Sequence, residues 1–134
     1  MKSTICIIAA NFYPKISKAL INGAIKTLKS KGIKSYKIIK VPGVFEIPFV
    51  IKKNIKKYDG FIALGCVIKG ETPHFDFISK ATINAIINLS VSYSKPIGNG
   101  IITCLNKKQA LARTVFNKNK GKESAKAIIS LLKV

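Results

Sequence analysis

The sequence predicts an α/β fold: a three-layer sandwich in which helices cover both faces of a four-stranded parallel sheet. Short runs rich in Ile and Val alternate along the chain with segments whose apolar residues recur at helical spacing, which is typical of βαβ units. Most of the short runs are apolar at nearly every position, as strands buried on both faces are. With 134 residues, 48% of them hydrophobic, the chain has the size and apolar content of one domain, residues 1–134.

The first half of the chain contains two predicted strands and two predicted helices. Residues 4–10 form an apolar run of strand length, and no small-residue cleavage site follows it, so we interpret it as a strand rather than a signal peptide. Apolar residues at helical spacing then predict a helix that ends near Gly32. Residues 35–41 are the second predicted strand. Residues 45–57 predict a second helix, in which Pro48 fits only because it lies in the first turn.

The second half contains the strongest predicted strand, residues 60–68, and a turn at residues 70–73. A helix is predicted from His74 to Tyr93, because its apolar residues share one face. The remaining predicted elements are a fourth strand at residues 97–105 and helices at residues 109–116 and 123–133. Ligands of parallel sheets bind beyond the carboxyl ends of the strands, so we expect function in the loops that follow the four strands.

The charge is large but uninformative about a specific partner. The chain carries 24 Lys+Arg and 5 Asp+Glu, a formal charge of +19, and Arg113 is its one arginine. Proteins that read nucleic acids usually rely on arginine and concentrate their charge in a stripe with aromatic residues. Here lysines occur in every segment, which favours a compositional bias toward Lys, Ile and Asn over specific nucleic-acid binding. Attraction of anions follows from the charge in either case.

Cysteine and histidine usage excludes other classes of protein. Cys6, Cys66 and Cys104 each lie in an apolar run without a partner at C-x-x-C spacing. An odd number of such cysteines predicts reduced thiols in a cytoplasmic protein rather than a disulfide scaffold. One histidine and scattered cysteines predict no metal site. No apolar run reaches the roughly 20 residues that a membrane-spanning helix needs.

The loop between the strongest strand and the longest helix is the clearest candidate site. Gly70, Glu71 and Thr72 precede a predicted helix N-terminus, where backbone amides and a hydroxyl suit a phosphate. His74 is the one histidine, and it could act as a general acid or base at this edge of the sheet. The alternative is that His74 only begins the helix in solvent, and we favour the catalytic interpretation.

Four further residues have both a functional and a structural interpretation. Arg113 offers a planar fork for phosphate or carboxylate, or is retained by chance. Glu46 could accept hydrogen bonds from substrate hydroxyls or favour the N-terminus of a helix. Phe12 could stack on a planar ring, although an aromatic residue there more often packs. Cys66 could be a nucleophile, but a buried, inert thiol is the favoured interpretation.

Three motifs together resemble the 6,7-dimethyl-8-ribityllumazine synthase family of riboflavin biosynthesis. They are V-P-G-V-F-E-I-P at residues 41–48, the segment at residues 58–76 that contains G-C-V-I-K-G-E-T-P-H-F, and N-K-G at residues 119–121. The resemblance covers essentially the whole chain and implies the flavodoxin-like form of the predicted sandwich. It also implies a cofactor-free condensation of 5-amino-6-(D-ribitylamino)uracil with 3,4-dihydroxy-2-butanone 4-phosphate, which gives the lumazine, phosphate and water.

The resemblance also implies roles for individual residues. Phe12 would stack on the pyrimidine, and His74 would transfer protons. The ribityl chain and the ring edge would be contacted by Val44, Phe45, Glu46, Val67 and Ile68. The phosphate would be held by Gly70, Glu71, Thr72 and Arg113. Lys120 resembles a substrate-contacting lysine of the family.

Some positions depart from the family pattern. Asn99 stands where many relatives carry an aromatic residue over the substrate ring, and Ala112 where many carry glutamate. A shorter connection after Arg113 leaves Lys118 as the one candidate for a second phosphate-site lysine. Similar proteins are homopentamers, some of which assemble into capsids, so Asn99, Arg113 and Lys120 would come from the neighbouring subunit. We expect a free pentamer or a decamer, and as the alternative function a lumazine- or flavin-binding homologue with impaired catalysis.

Overall fold

The computed structural model describes residues 3–134, apart from the side chain of Phe116. Its centre is a parallel sheet of four strands in the order β2-β1-β3-β4. The strands are β1 (Thr4–Ala10), β2 (Ser35–Val41), β3 (Gly60–Ile68) and β4 (Ile97–Cys104). The predicted fold class is therefore confirmed, and three of the four predicted strands have the observed bounds.

Helices cover both faces of this sheet. The α-helices are α1 (Pro14–Ser30), α2 (Ile47–Lys53), α3 (His74–Tyr93), α4 (Lys107–Ala112) and α5 (Lys120–Leu132). Short 3-10 turns occupy Val44–Glu46 and Phe116–Lys118. One core cluster joins the sheet to α1, α4 and α5, and a second joins it to α2 and α3.

The alternation of side chains along β1 explains why the central strands are apolar throughout. Ile5 and Ile7 belong to the core cluster beneath α1 and α5, whereas Cys6 and Ile8 belong to the cluster beneath α2 and α3. Successive residues of a strand point to opposite faces, so a strand covered on both sides must be apolar at every position. Each of these four side chains is fully buried.

The helix predicted at residues 45–57 is too long at its C-terminal end. A 3-10 turn precedes α2, which then ends at Lys53, with Pro48 in its first turn as expected. The side-chain amide of Asn54 donates to the carbonyl oxygen of Val50 at 2.8 Å, and its backbone N–H bonds back into the same turn. These bonds satisfy the last carbonyls of the helix and end it four residues early.

Two asparagine caps shift the last two helices away from their predicted starts. Asn106 accepts a hydrogen bond from the backbone N–H of Gln109 at 2.9 Å, so α4 begins at Lys107 and ends at Ala112. Asn119 accepts from the N–H of Lys122 at 3.1 Å, so α5 begins at Lys120 rather than residue 123. Both side chains satisfy helix N-terminal donors, for which asparagine is well suited.

The close approach of α1 and α5 depends on a glycine. A methyl group at Gly121 would collide with the carbonyl oxygen of Leu20. Asn119 joins the same helices, because its side-chain amide donates to the carbonyl oxygens of Ala19 and Thr114 at 3.1 and 3.0 Å.

We therefore expect Gly121→Ala to lower the free energy of unfolding by about 2 kcal/mol, measured by urea denaturation. Alanine normally stabilises a helix by up to about 1 kcal/mol relative to glycine. Gly121→Ala therefore destabilises the protein only if the cost of the collision exceeds this gain. The matched control is Gly70→Ala, since a methyl group there meets no atom within 4 Å. Equal midpoints for the two variants would contradict the proposed packing constraint.

The longest helix is poorly covered by the rest of the chain. Only Thr82 and Ile86 of the 20 residues of α3 are buried, whereas seven residues of α1 are buried. The large hydrophobic side chains that α3 exposes are Phe77, Ile87, Val91 and Tyr93. Within the part of the chain that the structure describes, no helix is long and apolar enough to cross a membrane.

Candidate functional site

A cavity of about 490 Å³ opens at the carboxyl edge of the sheet. It is bounded by the loops after β1 and β2, the end of β3 and the first turn of α3. Its lining residues are Phe12, Tyr13, Gly43, Val44, Phe45, Glu46, Val67, Ile68, His74 and Ile78. The topology brings these segments together because the strands are parallel and end at one edge.

Aromatic side chains form one wall of the cavity. Phe12 is 70% exposed, so its ring is not part of the core. Its centroid lies 4.9 Å from that of Tyr13, with the ring planes at 76°, an edge-to-face arrangement that aromatic pairs prefer. Sequence reasoning missed Tyr13, whose one signal was its position next to Phe12. Because most of the Phe12 side chain is exposed, its ring is accessible to a planar partner.

A second wall is the turn that follows β2. The backbone N–H of Gly43 donates to Oε1 of Glu46 at 2.9 Å, which fixes the carboxylate against its own turn. Val44 is buried against β3, where the absence of a side chain at Gly65 makes room for it. Phe45 is 61% exposed. The turn thus presents an aromatic ring and an oriented carboxylate side by side.

The loop from β3 to α3 is open and lies beside the cavity. The N–H of Lys69 donates to the carbonyl oxygen of Cys104 at 2.8 Å, which anchors the start of the loop. Gly70, Glu71 and Thr72 are exposed and do not themselves line the cavity. The backbone N–H of His74 donates to Oγ1 of Thr72 at 3.4 Å. His74 is exposed and forms the edge of the cavity.

Besides Gly70, Glu71 and Thr72, three more predicted site residues do not line this cavity. Asn99 is exposed in the middle of β4, opposite Ala63, and its Oδ1 accepts from the N–H of Ile101 at 3.1 Å. Arg113 is exposed after α4, and its carbonyl oxygen accepts from the N–H of Lys120 at 2.9 Å. The Nζ of Lys120 pairs with Glu123 at 3.3 Å. One chain therefore gathers Phe12, the turn after β2, the end of β3 and His74 at this cavity, but not these three residues.

The three cysteines are free, buried thiols. Burial raises the pKa of Cys66 to about 12, and the neighbouring Cys104 adds to the rise. Burial also raises the pKa of Cys104, against the opposing charge of Arg113. Both thiols are protonated at neutral pH, which agrees with an inert Cys66 rather than a nucleophile. Among residues 3–134, no group of three or more His, Cys, Asp or Glu side chains is arranged to hold a metal ion.

The fold and the cavity define an α/β protein of the flavodoxin-like class with a small-molecule site at the carboxyl edge of its sheet. The family model for 6,7-dimethyl-8-ribityllumazine synthase matches residues 2–134, and the chain belongs to that family. The resemblance inferred from the three motifs is thereby confirmed.

Proteins named 6,7-dimethyl-8-ribityllumazine synthase are similar to this chain over nearly its full length. The one from Bartonella bacilliformis is 44% identical over 131 residues, which cover 94% of this chain and 86% of the relative. The one from Bartonella henselae is also 44% identical, over 98% of this chain and 87% of the relative. The one from Agrobacterium fabrum is 41% identical over 99% of this chain and 95% of the relative.

Proposed function

We propose that this chain condenses 5-amino-6-(D-ribitylamino)uracil with 3,4-dihydroxy-2-butanone 4-phosphate to 6,7-dimethyl-8-ribityllumazine, phosphate and water. The observation that carries the proposal is the cavity of about 490 Å³. It gathers Phe12, the turn after β2, the end of β3 and His74 at one edge of the sheet. The turn after β2, the end of β3 and His74 lie in two of the three family motifs, and the chain matches that family from residue 2 to 134.

The pyrimidine and its ribityl chain would both occupy this cavity. The exposed ring of Phe12 and the apolar side chains of Val67 and Ile68 suit a flat ring. Glu46 holds one oxygen on Gly43 and keeps the rest of its acceptor capacity for ribityl hydroxyls. Fixing the amine-bearing substrate in this way lowers the entropic part of the barrier to condensation.

The phosphate-bearing substrate would occupy the open loop before α3. Gly70 leaves its backbone accessible, and Glu71 and Thr72 contribute amides and a hydroxyl near the helix N-terminus. Arg113 would supply the charged fork for the phosphate. His74 lines the cavity next to this loop and would move protons as the two substrates join. Positioning and proton transfer are the contributions that these residues make.

The site would be completed in a homopentamer. Asn99, Arg113 and Lys120 lie outside the cavity of their own chain, so a neighbour's copies would have to reach it. The exposed apolar side chains of α3 offer an association surface. We propose a free pentamer or a decamer with sites between subunits, in a reducing, cytoplasmic setting that suits three free thiols.

The test is a rate assay of the purified protein with both substrates, followed by the fluorescence of the lumazine product. Product formation above the uncatalysed background supports the proposal. A folded oligomer that binds the ribityl-pyrimidine but forms no product would overturn it in favour of a binding protein.

Replacing Arg113 with Lys should raise the KM for the butanone phosphate by about tenfold and change that for the pyrimidine by less than about twofold. Lysine keeps the charge but loses the two parallel hydrogen bonds of the guanidinium. Initial rates with each substrate varied in turn measure the two constants. Lys108→Arg is the matched control, because it changes a nearby basic residue without touching the proposed site. Equal effects of Arg113→Lys on both constants would contradict its assignment to the phosphate.

A further inference from the structure

Positive and negative residues are distributed unequally along this chain. The first 45 residues contain nine lysines and no aspartate or glutamate. They include β1, α1 and β2. The lysines are spread through every segment, but the acids are not: β1, α1 and β2 contain none, and the one acid of α5 is Glu123, which pairs with Lys120.

The helices of one layer concentrate this charge on their solvent side. Lys18, Lys26 and Lys29 are exposed on α1 at spacings of eight and three residues, opposite its buried stripe. Lys26 also lines a cavity of about 260 Å³ with Lys122 of α5, so these two lysines lie at one groove between the helices. Lys126 follows one turn later on α5 and is exposed. We call this set, Lys18, Lys26, Lys29, Lys122 and Lys126, the cationic face.

The composition of the cationic face excludes several kinds of partner. Neither helix contains an aromatic residue or an arginine, so bases can be neither stacked upon nor read at their edges. Large exposed hydrophobic side chains are absent from α1, and on α5 Leu131 is the one described. Membrane-surface helices insert an apolar face, whereas the apolar face of α1 is buried in the core. Protein hot spots likewise need apolar or aromatic anchors.

The length of the cationic face fits a row of phosphates, as in a nucleic-acid backbone, rather than a single phosphate. Lys18 and Lys29 are separated by about 16 Å along the helix axis, at 1.5 Å per residue. One strand of a duplex places a phosphate about every 3.4 Å of its axis, so the face spans about five phosphates. Lysine ammonium groups contact phosphates as point charges without sequence preference.

We propose that the cationic face binds the phosphate backbone of a nucleic-acid duplex, without reading its sequence and apart from the active-site cavity. Because neither bases nor 2′-hydroxyls are contacted, RNA and DNA duplexes of equal length are bound about equally. The binding is independent of the condensation reaction, since none of the five lysines lines that cavity.

The experiment is fluorescence anisotropy of labelled 20-base-pair RNA and DNA duplexes with the assembled protein over a series of KCl concentrations. The expected slope of log K against log salt is about −4 to −5, from about −0.9 per phosphate neutralised. A triple variant, Lys18→Gln, Lys29→Gln and Lys126→Gln, should weaken binding at least about tenfold and flatten the slope by about two or more.

The matched control removes the same charge elsewhere. Lys53→Gln, Lys56→Gln and Lys57→Gln change three exposed residues at the end of α2 and in the turn after it. Both triple variants lower the net charge from +19 to +16. The control should change affinity less than about twofold, and both variants should keep the wild-type rate of lumazine formation. Equal losses in the two variants would show that net charge alone is responsible and overturn the proposal. Tighter binding to vesicles of anionic lipid than to the duplexes, or no duplex binding at 50 mM KCl, would also overturn it.

Discussion

Replacing His74 with Ala is expected to lower turnover by about 10²-fold and to change the KM of either substrate by less than about threefold. His74 is the first residue of α3 and lies at the edge of the cavity, next to the open loop after β3. A general acid or base at that place acts on the transition state more than on the bound substrates. The substitution should therefore lower kcat rather than raise KM.

Steady-state rates followed by product fluorescence measure both constants. His74→Gln should behave like His74→Ala, because glutamine can donate and accept hydrogen bonds but cannot take up a proton. Lys80→Ala is the control, since Lys80 is exposed on the same helix and does not line the cavity. Full turnover in His74→Gln would assign His74 to positioning rather than to proton transfer.

The elements with the strongest local pattern are the easiest to predict. The bounds of β3 and α3 agree with the structure residue for residue, because an apolar run flanked by glycine and a long amphipathic pattern are local signals. The same logic placed the cavity, since parallel strands end at one edge. The fold and the position of the cavity can thus be predicted from the periodicity of apolar residues, which is visible in short stretches of sequence.

The caps and the close helix contact depend on distant residues. Asn119 reaches Ala19, 100 residues earlier in the chain, and it also begins α5. In the sequence it stands in a polar stretch that reads as a loop. Nothing in the local pattern shows that α1 supplies a partner for its side chain, and so the start of α5 was predicted three residues late.

The position of Arg113 and Lys120 relative to the cavity could not be predicted, for a different reason. Residues that line a cavity in one chain can be inferred from the order of its strands, but residues given by a second chain cannot. Arg113 and Lys120 are coupled to each other through a backbone hydrogen bond, yet neither lines the cavity of their own chain. Their role at a neighbour's site is inferred from family resemblance. Its test must distinguish action within one chain from action on a neighbouring chain.

Mixed oligomers provide that test. Chains with His74→Ala and chains with Arg113→Ala should each have little activity alone, but co-expression should restore about a quarter of the wild-type activity. In random mixtures about one contact in four joins an intact His74 cavity to a neighbour's intact Arg113. Product fluorescence per subunit measures the restored activity, and differently tagged chains confirm that both are present in one assembly.

The matched control pairs two variants of the same cavity. His74 and Glu46 line the same cavity of a single chain. Co-expression of His74→Ala with Glu46→Ala chains therefore gives mixed assemblies in which every cavity lacks one of the two side chains. We expect no restoration in that mixture beyond the sum of its parts. If the mixture with Arg113→Ala is equally inactive although mixed assemblies form, Arg113 acts on the site of its own chain. The orientation of α4 and α5 would then have to change to bring Arg113 to its own His74.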